Sequence, residues 1–369
     1  MLWSNTVFMY SFEAAMTRGR GSISNMPGRF TNTVTVFEPG EQGGAAQQSM
    51  QVGPAERPTR LHTQMCKSLL SRNQSPDIPF EQSINPYRGC EHGCVYCFAR
   101  PTHSYLDFSP GQDFETEIIC KDNAPAVLRR ELARRGYQCR PVAIGTATDP
   151  YQPAERERKL TRQILEVLAE HRHPVSLITK GALVLRDLDL LAAMAQQGLA
   201  TVAISVTTLD NRLKSRLEPR ASAGSRRIAV MRALAEAGVP VTLLLAPVIP
   251  FINDHELEEI VAQSAAAGAR SAGYVVLRLP HEVNPLWRQW LAVHYPQRAA
   301  KVMAVVNGLH GGRDYRSEWF TRQSGQGVWA DLIAQRFEIA LRRHGLVGER
   351  CSLRTDLFRR PAEEQLSLF

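Results

Sequence analysis

Three cysteines follow one another closely in one short stretch of the chain, at Cys90, Cys94 and Cys97. Gly89 and Gly93 lie among them, and glycine adopts the positive φ angles with which a backbone folds tightly around a bulky group. Thiolates are the protein ligands of iron–sulfur clusters, and three thiolates on a cube of four irons leave one iron without a protein ligand. The spacing therefore predicts a 4Fe-4S cluster whose open iron can bind a chelating substrate or cofactor.

A structural zinc site is the alternative chemistry for these thiols, with His92 or His103 as a further ligand. Structural zinc sites usually combine two short Cys/His pairs that are separated by a longer span. No second pair is formed by the remaining cysteines, which are Cys66, Cys120, Cys139 and Cys351. The cluster is therefore favoured over zinc, and the odd count of seven cysteines argues against a secreted disulfide framework.

The elements that must position this loop are visible from about Asp77 onward, where short β-branched runs alternate with amphipathic helical patterns. The predicted strands are Ser83–Tyr87, Pro141–Thr146, Val175–Thr179, Thr201–Thr207, Val241–Val248 and Tyr274–Leu279. The predicted helices are Asp122–Arg135, Ala154–Glu170, Leu185–Gln197, Arg226–Ala237 and Asp254–Ala267. Six βα units in order predict an α/β fold, a partial (β/α)6 TIM-like barrel around a parallel sheet.

In such barrels the active site lies at the C-terminal ends of the strands, where the βα loops meet. The cysteine loop follows the first predicted strand. Polar residues stand at or after the ends of the later strands, at Thr146, Thr148, Asp149, Lys180, Ser205, Thr207, Thr208 and Arg278. We expect these side chains on the same rim as the cysteine loop.

The composition permits a nucleic-acid partner. The 369 residues carry a net charge of +8, and arginine, the commoner basic residue, binds phosphate through two parallel hydrogen bonds. Charge alone does not decide between nucleic-acid contact and a compositional preference for arginine. The first residues lack a basic region and carry Glu13 where a signal peptide needs an apolar core, so we expect a cytoplasmic location.

Four regions follow from the patterns along the chain. Residues 1–60 are rich in small and polar residues without a regular period, which predicts a mobile, disordered N-terminal arm. The core domain is assigned to 76–315, a C-terminal helical extension to 316–350, and a tail to 351–369.

Two stretches near the expected rim leave alternatives open. Six basic residues occur close together, at Arg212, Lys214, Arg216, Arg220, Arg226 and Arg227. They would suit a phosphate-bearing substrate, or form a solvated helical face with Glu218 as an internal partner. The glycine-rich segment 308–327 adds Arg313, Tyr315, Arg316, Trp319 and Arg322. It would stack on and clamp a nucleic-acid base, or form an irregular cover over the barrel mouth.

The spacing CxxxCxxC, with the aromatic Tyr96 before the third cysteine, resembles the motif of the radical S-adenosylmethionine (SAM) superfamily. The strings INPYRGCEHGCVYCFARP, IGTATDPYQPAE, LITK, ISVTTLD, LEPRA and LLLAPVIPFIND are similar to the branch that contains spore photoproduct lyase. The resemblance covers residues 79–346. It implies a reduced cluster that transfers one electron to SAM, whose cleavage gives methionine and a 5′-deoxyadenosyl radical.

The same resemblance assigns expected roles to individual residues. It implies that Thr148 and Asp149 meet the SAM ammonium group, that Lys180 meets its carboxylate, and that Tyr96 belongs to the cofactor site. Ser205 and Thr207 are expected at the ribose. The alternatives are a turn-forming role for Asp149 before Pro150 and a solvated strand end at Lys180.

The chain departs from this branch at one position. Spore photoproduct lyase has a hydrogen-donating cysteine near the place where Thr146 aligns, and a hydroxyl hydrogen is a poor donor to a carbon radical. Repair of spore photoproduct is therefore not expected. Cys120 or Cys139 would take over that role, or be inert small residues of the core.

The leading hypothesis is a radical SAM enzyme that abstracts hydrogen from a large substrate, such as a nucleic acid, and receives electrons from a donor such as flavodoxin or ferredoxin. One alternative is a radical SAM enzyme that modifies a protein or a small metabolite. Another is a metal-bearing, DNA-associated binding module without catalysis.

The chain ends in the apolar sequence Gln365-Leu-Ser-Leu-Phe369. This sequence resembles the peptide with which bacterial polymerases and repair proteins bind the β sliding clamp. The resemblance implies that Gln365 bonds at the pocket edge while Leu366, Leu368 and Phe369 fill apolar pockets. The alternative is a terminal segment that packs back onto the domain.

Overall fold

The computed structural model describes residues 21–30, 57–347 and 351–360. In this part of the chain, six parallel strands and one short antiparallel strand form a single large sheet. The strands in chain order are β1 (Arg60–Thr63), β2 (Ser71–Arg72), β3 (Gln82–Ile84), β4 (Tyr87–Arg88), β5 (Glu117–Cys120), β6 (Val142–Ile144), β7 (Val175–Thr179), β8 (Ala200–Ser205), β9 (Val241–Val248) and β10 (Ala269–Val276). The sheet order is β10-β9-β8-β7-β6-β3-β2. The six parallel strands are neighbours in the order of the sequence, which confirms the predicted partial barrel.

Helices connect the parallel strands, as a parallel sheet requires. The α-helices are α1 (Asp113–Thr116), α2 (Ala124–Ala133), α3 (Glu155–Arg158), α4 (Leu160–Glu170), α5 (Leu188–Gln196), α6 (Asn211–Leu217), α7 (Gly224–Glu236), α8 (Leu257–Ala266), α9 (Val283–His294), α10 (Pro296–Leu309) and α11 (Val328–Arg343). Short 3-10 helices span Arg100–Leu106, Ala182–Asp187 and Asp254–Glu256.

The main hydrophobic core lies between the sheet and its covering helices. In β9, alternate residues Val241, Leu243 and Leu245 are buried, as the two-residue period of a strand dictates. The predicted apolar face of α4 is buried as well, including Ile164 and Leu168. The two periods in the sequence therefore place strand and helix residues in one core.

Two strand predictions need correction. The sixth barrel strand was expected at Tyr274–Leu279, whereas β10 covers Ala269–Val276. Four of its first five residues, Ala269, Ser271, Ala272 and Gly273, are small and have low strand propensity, but this segment pairs in parallel with β9, and pairing outweighs local propensity. The first strand was expected to reach Tyr87, whereas β3 ends at Ile84 and Tyr87 belongs to β4 of another sheet.

One helix prediction also needs correction. A continuous helix was expected over Ala154–Glu170, but Lys159 has a φ of 52°. This left-handed residue separates α3 from α4. The apolar residues of the predicted helix begin at Leu160, after the break, so the apolar period supports α4 alone.

A second, three-stranded sheet has the order β1-β5-β4. Beside it, the described part of the predicted N-terminal arm packs on the protein. The amide groups of Gly21 and Ser22 donate to the carboxylate of Glu115 at 3.1 and 2.8 Å, and Ser22 is buried. A Cβ on Gly21 would lie 1.8 Å from the carbonyl oxygen of Gly93. This part of the arm therefore contacts the cysteine loop, while the rest of it, 1–20 and 31–56, lies outside the described residues.

The open side of the barrel is bridged by an ion pair. Arg322 donates to both carboxylate oxygens of Asp77, at 2.8 and 2.6 Å. Asp77 precedes β3, and the carbonyl oxygen of Gln323 accepts from the amide of Val276 at the end of β10 at 2.8 Å. The segment 308–327 thus connects the two ends of the parallel sheet.

The C-terminal part packs on the helical layer. Arg336 of α11 forms an ion pair with Glu258 of α8 at 2.7 Å, and the amide of Arg354 donates to the carbonyl oxygen of Gly198 at 3.0 Å. The motif Gln365–Phe369 lies outside the described residues. Among the described helices, none is long and apolar enough to cross a membrane.

Candidate functional site

The cysteine loop, residues 89–99, lies between β4 and the 3-10 helix that starts at Arg100. Gly89 and Gly93 have φ angles of +79° and +67°, the left-handed region that favours glycine. A Cβ on Gly89 would come within 2.9 Å of the His103 ring. The two glycines therefore give the loop its tight turns.

A buried arginine holds the backbone of this loop. Arg100 is fully buried. Its Nε donates to the carbonyl oxygen of Cys94 at 2.9 Å, one Nη donates to that of Gly111 at 2.7 Å, and the other pairs with Glu115. A buried charge is tolerated when it is paired and hydrogen-bonded, so this ion pair fixes the middle of the loop.

Glu91 fixes the loop on its other side. Its carboxylate accepts from the amide of Ala154 at 2.5 Å and lies 3.1 Å from Nη1 of Arg220. Its own amide donates to the side-chain oxygen of Gln152 at 2.9 Å. The cysteines are therefore displayed by a loop that is anchored to the start of α3 and to the segment after α6.

The three predicted cluster ligands lie together on this loop, with Cys90 and Cys94 buried and Cys97 half-buried. Burial raises the pKa of all three thiols, that of Cys94 to about 12 with a further contribution from the charge of Glu218. Without a metal these groups are neutral thiols. The positive charge of bound metal ions favours the thiolate over the thiol. The donor set, three thiols on a rigid glycine-containing loop, fits an iron–sulfur cluster.

The two histidines that would complete a zinc site each contact a group outside the cysteine set, and the Nδ1 atom of each makes no hydrogen bond with the described residues. Nδ1 of His92 lies 3.3 Å from Oδ2 of Asp149. Nε2 of His103 is 2.9 Å from the carbonyl oxygen of Glu117, and burial lowers the His103 pKa to about 4. In the described ranges, no three or more His, Cys, Asp or Glu side chains, the three cysteines included, are arranged to hold one metal ion. The thiolates of an iron–sulfur cube bind different irons.

Asp149 is the most densely bonded of the predicted SAM contacts. Its Oδ1 accepts from the hydroxyl of Thr179 at 2.6 Å and from the amide of Tyr151 at 2.9 Å, and its Oδ2 accepts from the amide of Lys180 at 2.7 Å. Burial alone would raise its pKa, but the neighbouring His92 and these hydrogen bonds outweigh burial and hold the pKa at about 2. A carboxylate accepts about four hydrogen bonds. The three hydrogen bonds leave Asp149 about one acceptor position, near Nδ1 of His92 at 3.3 Å, an atom that makes no hydrogen bond with the described residues.

Glu218 is the centre of a buried polar cluster at the ends of β7 and β8. The hydroxyl of Thr207 donates to it at 2.6 Å, and Tyr96 and Arg227 also donate to its carboxylate. Burial alone would raise the pKa of Glu218, but the charges of Arg227 and Lys180 outweigh burial and hold it at about 2. The aromatic residue of the cysteine motif is thereby tied to the fourth barrel strand.

Lys180 extends this cluster toward the barrel mouth. Its Nζ donates to the hydroxyl of Ser205 at 2.6 Å and lies 3.9 Å from Glu218. Its side chain keeps 17 % of its surface exposed. Because an ammonium group has three donors, Lys180 retains capacity for an anionic ligand.

The predicted ribose contacts and Thr148 are bonded within the protein. Ser205 accepts from Lys180, Thr207 bonds to Glu218, and both hydroxyls are buried. The hydroxyl of Thr148 donates to the carbonyl oxygen of Tyr87 at 3.1 Å. The structure thus brings Tyr96, Lys180, Ser205 and Thr207 into one cluster, and links Asp149 to it through the Lys180 amide.

Neither candidate hydrogen-donating thiol lies at the strand ends that carry this cluster. Cys139 precedes β6 and so lies at the N-terminal end of the barrel strands. Cys120 is fully buried against Tyr87 and Leu160. At the end of β6, the hydroxyl of Thr146 accepts from the side-chain amide of Asn85 at 3.1 Å.

The basic stretch after β8 does not form one open surface. Arg227 is buried against Glu218, and Arg220 pairs with Glu91. Arg212 and Arg226 are exposed. The alternative in which Glu218 is an internal partner is therefore the one that the structure supports for Arg227.

The sequence patterns do not reveal the central place of Glu218 or the buried pair of Arg100 with Glu115. One signal was available for Glu218, because it is an isolated acidic residue in a basic stretch that follows a strand end. No comparable pattern marks Arg100, whose burial depends on carbonyl groups that the tertiary fold brings together.

Comparison with known proteins identifies the class that this fold and this loop define. The family model of the radical SAM superfamily matches residues 84–263. An uncharacterized protein of Mycobacterium tuberculosis is 40% identical over 244 residues, which are 65% of this chain and 72% of the relative. The chain belongs to the radical SAM superfamily, whose members use SAM and an iron–sulfur cluster.

More distant similarities extend the comparison. An uncharacterized protein of Methanocaldococcus jannaschii is 28% identical over 173 residues, 47% of this chain and 62% of the relative. The structure of a spore photoproduct lyase variant matches with a TM-score of 0.54 at 17% identity, over 82% of this chain and 84% of the other. A spore photoproduct lyase complexed with dinucleoside spore photoproduct has the same TM-score and identity, over 77% and 78% of the two chains. At this identity the similarity establishes the fold.

Proposed function

We propose that Cys90, Cys94 and Cys97 hold a 4Fe-4S cluster and that the chain is a radical SAM enzyme acting on nucleic acid. The observation that carries the proposal is the connection of the cysteine loop to the strand ends through Tyr96, Glu218 and Lys180. When bound, the cluster supplies one electron to SAM, and cleavage gives methionine and a 5′-deoxyadenosyl radical that abstracts hydrogen from the substrate.

Within this proposal, Lys180 binds the SAM carboxylate, because its ammonium group is partly exposed and has spare donors. Glu218 and Arg227 act as positioning residues, since the Glu218 carboxylate lies 3.9 Å from Nζ of Lys180 and the arginine compensates the carboxylate. Thr148 and Asp149 lie in the loop that follows β6 and shape the neighbouring wall of the site. Ser205 and Thr207 orient Lys180 and Tyr96 and lie beside the expected ribose position.

The proposed substrate class rests on two supports. The net charge is +8, and a spore photoproduct lyase of the same fold binds a dinucleoside. Thr146 replaces the thiol expected for spore photoproduct repair, and neither Cys120 nor Cys139 lies at the C-terminal strand ends of the barrel. We therefore propose a nucleic-acid substrate other than spore photoproduct.

The test is anaerobic reconstitution of the full chain with iron and sulfide, followed by reduction with SAM present and quantification of 5′-deoxyadenosine. Product formation that increases on addition of DNA or RNA supports the proposal. Cleavage of SAM that is indifferent to nucleic acid would favour a protein or metabolite substrate. Metal binding without any SAM cleavage would favour a binding module.

Two partners complete the proposal. Enzymes of this superfamily need a reductant, for which a flavodoxin or ferredoxin is proposed here. The terminal Gln365–Phe369 sequence is proposed to bind the bacterial β sliding clamp, which would bring the enzyme to replicating or repaired DNA.

A further inference from the structure

Arg278 lies between two aromatic rings beside the cysteine loop. It follows the end of β10 by two residues. Its guanidinium carbon is 5.1 Å from the centre of the Phe98 ring and 5.9 Å from that of Tyr315. One Nη donates to the Tyr315 hydroxyl at 3.1 Å. Three separate parts of the chain therefore meet at this arginine.

The guanidinium group has no carboxylate partner among the described residues. Its Nε is shielded from solvent and makes no hydrogen bond with any of them. By contrast, Arg220, Arg227 and Arg322 each pair with an acidic side chain. A shielded donor on a cation without a counter-charge is costly. Because Arg278 is otherwise partly exposed, the arrangement suits an anionic ligand.

Phe98 adds a surface of a different kind. It directly follows Cys97, and 45% of its surface is exposed although it is a large apolar side chain. Exposed aromatic faces stack on nucleic-acid bases, whereas arginine binds phosphate. The two side chains are adjacent, so one nucleotide could meet both.

We propose that Phe98, Arg278 and Tyr315 form a nucleotide subsite, in which Phe98 stacks on a base and Arg278 binds a phosphate group. The Tyr315 hydroxyl fixes the orientation of the guanidinium. The subsite lies beside the third cysteine, so the bound nucleotide is at or next to the one that reacts. This inference rests on the proposed nucleic-acid substrate.

The test uses the reconstituted full chain and a fluorescently labelled single-stranded oligonucleotide, titrated by anisotropy at several salt concentrations. Arg278→Gln and Phe98→Leu should each weaken binding about tenfold, since loss of one stacked base or phosphate contact has an effect of this order. Arg278→Gln should also reduce the slope of log affinity against log salt concentration by about one, the value expected for one lost phosphate contact. Phe98→Leu should leave this slope unchanged. Arg270→Gln is the matched control, because Arg270 is exposed at the opposite end of β10. The affinity of this variant for the oligonucleotide should stay within about twofold of the wild-type value.

The outcomes separate this inference from the proposed function. If the wild-type protein binds the oligonucleotide and both variants bind equally well, the subsite is wrong while the substrate class stands. If the wild-type protein cleaves SAM but binds no nucleic acid, the substrate class is wrong and the subsite with it. If Arg278→Gln weakens SAM binding at least as much as oligonucleotide binding, Arg278 belongs to the SAM site and the inference is overturned. If Arg278→Gln does not fold, the oligonucleotide affinities of Phe98→Leu and of Arg278→Lys, which keeps the charge, test the subsite instead.

Discussion

The hydroxyl of Tyr96 donates a hydrogen bond to Glu218, 122 residues further along the chain. Tyr96 lies within the cysteine motif, and Glu218 follows α6, beyond the fourth barrel strand. Glu218 also pairs with Arg227. One buried carboxylate therefore connects the proposed cluster loop to the strand ends that carry the proposed SAM contacts.

We predict that Arg227→Met destabilises the fold by about 3 kcal/mol, because removal of one partner leaves the other charge buried and unpaired. Chemical denaturation at neutral pH measures this. The control is Arg226→Met, one residue earlier and exposed, which should change stability by less than about 0.5 kcal/mol. Equal effects of the two variants would contradict the importance of the buried pair.

The same carboxylate predicts a pH dependence. The pKa of Glu218 is lowered from 4.5 to about 2, so its stabilising contribution is complete above pH 4.5 and is lost as the pH falls toward 2. The stability difference between the wild-type protein and Glu218→Gln should therefore shrink across this interval. A difference that stays constant from neutral pH to pH 3 would show that the pKa of Glu218 is not lowered in the folded protein.

Replacing Cys90, Cys94 or Cys97 by alanine should remove the brown absorbance of the reconstituted protein, because two thiolates do not retain the cube. Iron and sulfide analysis provides the quantitative measurement. Cys351→Ala is the control, since Cys351 is exposed on the C-terminal segment, and it should keep full cluster content. Wild-type iron and sulfide content in any one of the three single-cysteine variants would refute the ligand assignment.

Lys180→Ala and Asp149→Asn should both weaken SAM binding to the reduced cluster. For Lys180→Ala, loss of one charge-assisted hydrogen bond costs about 1.5–3 kcal/mol, roughly tenfold to a hundredfold in affinity. Asp149→Asn acts indirectly, because Asp149 holds the amide of Lys180. Because Asp149 also holds the Thr179 hydroxyl and the Lys180 amide, only Asp149→Asn should lower the melting temperature markedly. Unchanged SAM affinity in both variants would move the SAM site elsewhere.

A peptide of the last nine residues should bind purified β clamp with micromolar affinity. Each buried apolar side chain contributes about 1.5–3 kcal/mol before the cost of ordering the peptide is subtracted. Truncation after Glu364 should abolish clamp binding by the whole protein and leave SAM cleavage intact. If the peptide does not bind and truncation instead lowers thermal stability, the segment packs on the domain.

The sequence by itself determined the class of the protein and most of its scaffold. The cysteine spacing is local, and the loop geometry depends on glycines that stand beside the ligands. The alternation of strand and helix periods likewise follows from neighbouring residues, so the six parallel strands could be predicted in their correct order. The first residues of β10 could not be predicted as a strand, because Ala269, Ser271, Ala272 and Gly273 form a strand only by pairing with β9.

Only the tertiary structure decided which charged residues are buried and with which partners. Arg226 and Arg227 are neighbours in a basic stretch, yet Arg226 is exposed whereas Arg227 is buried and paired with Glu218. Likewise, Phe98, Arg278 and Tyr315 come from three distant parts of the sequence. Burial and long-range pairing depend on how the helices and strands pack, so they cannot be predicted from the local pattern of apolar residues.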